Sequence, residues 1–175
     1  LVLVGYLAFF DTPRKSAAGA LRRLRELHVD VKVLTGDQRA VAVSVCRRLG
    51  MDAARVLTGR QMELMRENEL PVHIERTEIF AELSPRQKAR IVSMLRDNGH
   101  TVGFLGDGMN DLPAMAVADV GISVDTAVET VRESSDAILL EKDLNVLERG
   151  ILEGRRTFVN MSKYIRITAS SNFGN

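Results

Sequence analysis

The chain has 175 residues and a mass of 19.4 kDa, a one-domain length at which about 68–70% of the unfolded surface is buried on folding. Apolar residues make up 45% and charged residues 27%, near soluble globular averages, which argues against collagen-like, low-complexity and largely disordered classes. With 24 basic and 23 acidic residues the whole is near neutral, although residues 1–60 carry 11 basic against 5 acidic, and nothing in this balance calls for nucleic acid as a partner. The longest uncharged apolar run, Leu1 to Phe10, falls short of the roughly 18 residues of a membrane-spanning helix, and no positive segment precedes it as in a signal peptide. The single cysteine, Cys46, leaves no internal disulfide and no multi-cysteine zinc site, which suits a reducing compartment such as the cytosol.

Six short apolar runs alternate with stretches of helical period, the pattern of a parallel sheet covered on both faces. The runs are Leu1–Phe10, Val31–Leu34, Glu78–Leu83, Thr101–Leu105, Val120–Val124 and Ala137–Leu140, too short for helices and mostly rich in β-branched or aromatic residues. After the second run, Val41, Val45 and Leu49 recur every fourth residue and Gly50 stops the helix. Thr58 to Glu69 reads as a shorter helix followed by a loop at Leu70-Pro71. Ser84-Pro85-Arg86-Gln87 combines an N-cap, a first-turn proline and a capping-box glutamine, with Gly99 closing the helix it starts. From Leu144 onward the pattern is one long helix with Leu147, Ile151 and Phe158 on one stripe. No repeat and no linker interrupts the chain, so a domain over 1–154 and a helical tail over 155–175 is the economical division.

In an open parallel sheet, functional groups lie at the carboxyl ends of strands. Two such ends are unusual: Thr35-Gly36-Asp37 after the second run, and Gly106-Asp107-Gly108-Met109-Asn110-Asp111 after the fourth. The second is glycine-rich but unsuited to a dinucleotide, because two carboxylates repel a pyrophosphate unless a cation lies between. Asp107 and Asp111, read as one helical turn apart at a helix start, offer oxygens to a hard ion such as Mg2+, which takes one or two carboxylates plus waters and phosphate oxygens. Lys88, in the first turn of the Ser84-capped helix, brings a compact positive charge to the same edge, while the Thr35 hydroxyl and Gly36 amide can donate hydrogen bonds to phosphate oxygens. Taken singly, each has a plainer account: Asp37 as a helix cap, Lys88 as a solvated helix residue, Gly106 to Gly108 as a tight turn, and Asp111 as a charge favoured by the helix dipole. His28, His73 and His100 lack ligand spacing and read as surface residues, Cys46 reads as core, and helix packing accounts for Tyr164 and Phe173.

The order TGD, SPRQK, GDGMNDLPAM resembles the haloacid dehalogenase superfamily, and within it the phosphorylation domain of P-type ATPases, which carry TGD and GDGxNDxPA. The opening LVLVGYLAFFDTPRKSA is similar to the family's strand and DPPR segment, and the stretch from HTVGFLGDGMND to KYIRITASSNFGN resembles bacterial magnesium-transporting ATPases. The resemblance implies a three-layer, Rossmann-like α/β fold with a mostly parallel sheet. DKTGT, the family motif that holds the phosphorylated aspartate, does not occur in these residues, so the match is to the C-terminal part of the domain, with 155–175 as the stalk toward a fifth transmembrane helix. It further implies Mg2+ and ATP as cofactors and a transported cation, most similar to Mg2+. The implied partners are nucleotide-binding, actuator and transmembrane domains of the same chain, at the cytosolic face of a bacterial inner membrane. Carried over residue by residue, Asp107 coordinates the metal, Asn110 and Asp111 complete the polar site with Gly106 and Gly108 in the loop, Lys88, Thr35 and Gly36 contact the phosphoryl group, and Asp37 supports the nucleotide and metal region.

Three positions depart from the family pattern: Gln38 after TGD, Thr12 in DPPR, and Glu82 where FARxxPxxK has arginine. A reversed charge near a polyphosphate is unfavourable, so either Arg86 or another group substitutes or nucleotide affinity is lower. Two other readings stand beside this one. A free-standing phosphatase of the same superfamily would use Asp11 as nucleophile, but Pro13 occupies the position two residues on, where that superfamily needs Asp or Thr. A non-enzymatic α/β scaffold would leave the aspartates as caps only.

Overall fold

A computed structural model describes residue 14 and residues 16–173. The apolar run Leu1–Phe10, together with Asp11, Thr12 and Pro13, lies outside the described residues. The order of elements is α1 (Ala17–Glu26), β1 (Val33–Leu34), α2 (Arg39–Arg48), β2 (Val56–Thr58), α3 (Gly59–Leu64), α4 (Leu70–Arg76), β3 (Ile79–Ala81), α5 (Pro85–Asp97), β4 (Gly103–Leu105), a 3-10 turn (Met109–Asp111), α6 (Leu112–Val117), β5 (Val120–Val124), α7 (Glu129–Glu133), β6 (Ala137–Leu139) and α8 (Leu144–Phe173).

The strands form two three-stranded groups, β1-β3-β2 and β4-β5-β6, and every pairing is parallel. Alternation along β3 sets the layers. Phe80 packs with Leu57, Met62, Leu70, Ile74 and Ile91 on one face, while Ile79 and Ala81 pack with Leu21, Ala42 and Cys46 on the other. Successive strand residues point to opposite faces, so α1 and α2 cover one side and α3, α4 and α5 the other, giving three layers. A third cluster joins Val92 of α5 to Phe104, Ala114, Met115, Val124 and Val131. Helix α5 therefore serves both groups, with Ile91 and Leu95 in one core and Val92 in the other. Leu34 and Val102 likewise pack against both.

Local chemistry explains the boundaries. The left-handed residues Gly50 (φ 74°) and Gly99 (φ 92°) follow α2 and α5, where glycine carries no Cβ penalty. Thr58 caps α3 in a full capping box with Gln61, and Ser84 caps α5 with Gln87 in the same way.

Several expectations are corrected. The helix expected over Thr58–Glu69 ends at Leu64, and the loop expected at Leu70-Pro71 is the start of α4. Proline fits there because the first helical turn needs no N–H from it, and Leu70 and Ile74, one turn apart, are wholly buried. The strand expected over Val31–Leu34 is reduced to two residues. The Lys32 ammonium leaves the sheet to donate to the carbonyls of Ile74, Glu75 and Thr77 (2.7–2.9 Å), closing the end of α4. On α2 the buried residues are Ala42 and Cys46, while Val41 is 45% exposed. On α8, Phe158 and Tyr164 are about 70% and 71% exposed, so the stripe continues beyond the core that was expected to cover it. The division expected between 154 and 155 falls inside this continuous helix. No helix among the described residues is long and apolar enough to cross a membrane.

Contacts with α1 hold the first turns of α8. Arg23 Nε donates to Glu148 (2.7 Å) and its NH2 to Asn145, the Arg155 guanidinium reaches the carbonyl of Leu27 (2.7 Å), and Ser16 Oγ donates to Asp143 (3.2 Å).

Candidate functional site

The loop after β1 is closed by backbone bonds to the chain leaving β3. Thr35 N–H donates to the Phe80 carbonyl (2.9 Å), Leu83 N–H to the Thr35 carbonyl (3.1 Å) and Glu82 N–H to the Asp37 carbonyl (2.9 Å). Within the loop, the Thr35 hydroxyl donates to Asp37 Oδ2 (2.8 Å) and accepts from Asp37 N–H (3.0 Å). Asp37 is therefore not the cap of α2, which was its plainer account. That task falls to Glu82, whose Oε1 accepts from Arg39 N–H (3.1 Å). Glu82 holds a left-handed backbone (φ 55°) to do so, and it lines an open depression of about 480 Å3 with Arg39 and Arg47. The carboxylate thus sits on a helix N-terminus, where a negative charge is favoured. Arg86 lies exposed in the first turn of α5.

One residue after Leu83, the Ser84 cap begins α5 and orients Lys88. The Lys88 ammonium donates to Asp111 Oδ1 at 2.7 Å, and both side chains are largely buried (12% and 16% exposed). Asp111 ends the 3-10 turn and begins α6. It rests against Gly106, where any Cβ would lie 2.6 Å from Asp111 Cβ. Glycine at 106 is thus a packing requirement that seats the carboxylate. Gly108 opens the turn, its carbonyl accepting from Asp111 N–H (2.9 Å). Asn110 is exposed in that turn.

Asp107 differs from expectation. It lies in the loop before the 3-10 turn, not one helical turn from Asp111 on a helix, because Gly108 is extended and the turn begins only at Met109. Its Oδ2 accepts from the ammonium of Lys142 at 2.7 Å, with both side chains about half exposed. Lys142 belongs to the turn after β6 and was missed from sequence. The strand-end rule applied to the sixth run would have found it, since Glu141-Lys142-Asp143 stands at the carboxyl end of β6, beside β5.

The structure thus gathers Lys88, Asp111, Asp107 and Lys142 about the 106–111 loop. Thr35, Gly36 and Asp37 form a second bonded unit, tied to the start of α5 through Leu83. Among the described residues no side-chain hydrogen bond joins the two units. His28, His73 and His100 are exposed and Cys46 is buried, as expected.

Among the described residues no three His, Cys, Asp or Glu side chains converge. A sparse set of one or two carboxylates matches Mg2+, which keeps most of its waters and completes its shell with phosphate oxygens. It does not match zinc, which takes closed sets of nitrogen and sulfur ligands. Asp107 and Asp111 are the carboxylates of this loop that could hold such an ion.

The model of the haloacid dehalogenase-like hydrolases matches residues 2–119. Over its full length the chain is 54% identical to a P-type magnesium-transporting ATPase of Escherichia coli, of which it covers 20%. It is 30% identical over 180 aligned residues to the endoplasmic reticulum calcium ATPase srcA of Aspergillus fumigatus, covering 99% of this chain and 18% of that one. Among solved structures, a zinc-transporting PIB-type ATPase superimposes on 89% of the chain and 21% of its own length, with a TM-score of 0.70 and 29% identity. The chain spans about a fifth of the length of these relatives. With parallel strands in three layers, the two glycine-rich strand ends in the expected order and a family match over two thirds of its residues, the chain belongs to the haloacid dehalogenase-like hydrolases.

Proposed function

We propose that this chain is part of an ATP-driven cation pump with an aspartyl-phosphate cycle, and that the cation moved is Mg2+. Residues 1–154 are the C-terminal part of the phosphorylation domain, and 155–175 are a stalk toward a fifth transmembrane helix. The partners are nucleotide-binding, actuator and membrane domains of one longer chain, at the cytosolic face of a bacterial inner membrane. The observation that carries this reading is the Lys88–Asp111 pair, which joins the SPRQK helix to the GDGMND loop with a buried, directed ammonium. The cargo rests on the 54% identity to a magnesium-transporting ATPase. The orientation is supported by Arg155, Arg156, Lys163 and Arg166, a basic cluster of the kind retained on the cytoplasmic side.

In this reading Lys88 uses one donor on Asp111 and points its remaining N–H groups at phosphoryl oxygens, as a point charge that needs no reorientation during transfer. The Gly36 amide donates from the carboxyl end of β1, and the one Thr35 hydroxyl proton reaches a phosphoryl oxygen when it leaves Asp37 Oδ2. Asp37 orders Thr35 through their mutual hydrogen bonds. Asp107 and Asp111 hold Mg2+, with Asn110 and the backbone of Gly106 and Gly108 shaping the loop around it. When bound, the ion neutralises the charge that develops on the phosphoryl oxygens. The nucleophilic aspartate comes from a DKTGT segment of the longer chain.

The test is growth of a magnesium-uptake-deficient bacterium on limiting Mg2+ with the full-length gene supplied. Rescue by the intact gene and none by Asp107→Ala is expected. Rescue that survives Asp107→Ala, or transport of another cation without rescue, overturns the reading.

A further inference from the structure

Each carboxylate of the 106–111 loop already holds a lysine, but the two pairs are built differently. Lys88–Asp111 is buried, braced by α5 behind the lysine and by Gly106 behind the aspartate. Lys142–Asp107 is open, with side chains 51% and 55% exposed, and exchangeable. An exposed pair of this kind is held weakly enough for a divalent ion to displace it.

Lys142 is nevertheless placed rather than left to wander. Its turn leaves β6 and is anchored at the next residue: Asp143 accepts from Ser16 Oγ through Oδ2 (3.2 Å) and from Asn145 N–H through Oδ1 (2.9 Å), at the start of α8. Its ammonium lies 2.7 Å from the one oxygen of Asp107 that it contacts, Oδ2. A cation approaching that oxygen meets a carboxylate whose charge is already balanced, and a positive charge in its path.

We infer that Lys142 is a built-in counter-ion that competes with the divalent cation for Asp107 and so sets the cation affinity of the site. This rests on the assignment of Asp107 as a ligand made under Proposed function. Lys142 touches no reacting atom and is a positioning residue. It keeps the Asp107 carboxylate neutralised and oriented while the site is empty, and yields it when the ion arrives.

The experiment uses the full-length protein purified in detergent, with Mn2+ as the probe. Mn2+ shares the preference of Mg2+ for carboxylate oxygen, and its free form is counted by electron paramagnetic resonance. Subtracting the Asp107→Asn titration from that of the unaltered protein isolates the Asp107-dependent site. Lys142→Met should tighten this site by about two- to five-fold, the span of an exposed ion pair. Lys142→Arg should keep the original affinity. The gain should shrink as salt rises from about 10 mM, where the Debye length is about 30 Å, toward 1 M, where it is about 3 Å. A tighter site is an outcome that damage to the fold does not produce. An Asp107-dependent affinity unchanged or weakened in Lys142→Met overturns the role of Lys142 alone. Equal Mn2+ binding by Asp107→Asn and the unaltered protein overturns the ligand assignment, and the inference with it.

Discussion

At the scale of single residues, the two aspartates that follow strands β1 and β4 have different neighbours and therefore different tasks. Asp37 is occupied by Thr35 within its own loop, whereas among the described residues Asp107 meets the exposed ammonium of Lys142. In the pump proposed above, Asp107→Asn is expected to abolish metal-dependent phosphorylation, and Asp37→Asn to reduce it far less. Acid-quenched labelling with radioactive ATP measures both, and equal losses would show the roles misassigned. Gly106→Ala tests the seat of Asp111, because the added Cβ would lie 2.6 Å from Asp111 Cβ and 3.1 Å from its carboxyl carbon, so the aspartate itself would have to shift. Overpacking of this kind costs about 1–3 kcal/mol. The expected outcome is a phosphorylation loss greater than that of a surface alanine substitution, measured beside a thermal unfolding curve that shows the chain still folded.

At the scale of elements, the site depends on where α5 begins and on what α5 is packed against. The Ser84 hydroxyl accepts from Gln87 N–H and the Gln87 side chain accepts from Ser84 N–H. Ser84→Ala should cost about 0.5–2 kcal/mol and loosen the turn that carries Lys88, read as a lower unfolding midpoint in denaturant. Phe80, wholly buried under α3, α4 and α5 on one face of β3, should cost about 3–5 kcal/mol when cut to alanine, because the cavity adds to the lost transfer energy. A Phe80→Ala loss under about 1 kcal/mol would mean that the core around α5 is not packed as described. Glu82 acts at the same scale. Its carboxylate caps α2, so Glu82→Gln should preserve stability better than Glu82→Arg, which places a positive charge at a helix N-terminus.

At the scale of the whole molecule, carboxylates tie elements together and impose a pH dependence. The Asp119 carboxyl is held below its usual range, first by the Val102 N–H and then by Arg96, linking the entry of β4 to α5. The Asp143 carboxyl is lowered chiefly by the Asn145 N–H, with Ser16 adding to it, linking α8 to α1. A group whose folded-state value lies below its unfolded value binds more protons when unfolded. Its stabilisation is therefore present above the ordinary carboxylate range and is lost as pH falls through the folded value. The contribution of these two carboxylates should be constant from about pH 5 through neutrality and fall on acidification below it. Asp119→Asn should make that fall shallower, as followed by denaturant titration across pH; an unchanged slope would remove Asp119 from the account.

Much of this architecture was legible in the chain itself, because its signals are local. Strand runs such as Val120–Val124, the Ser84 and Thr58 caps, the stops at Gly50 and Gly99 and the motifs at 35–37 and 106–111 depend on neighbours within a few residues. Where the sequence misled, the deciding partner was distant. Val41 repeats correctly but faces away, since packing against β3 selected Ala42 and Cys46. Leu70-Pro71 reads as a loop until Phe80 and Leu57 offer Leu70 a core to enter. Asp37 looks like a cap until Glu82, 45 residues on, takes that position. The sequence by itself determined the parallel α/β class, the order of the strand ends and the residue types of the site, because hydrophobic period, capping and turn chemistry act over short spans. Only the tertiary structure decided that Lys88 meets Asp111 and that Lys142 meets Asp107, because those pairs join residues 23 and 35 positions apart whose meeting depends on how the parallel strands align.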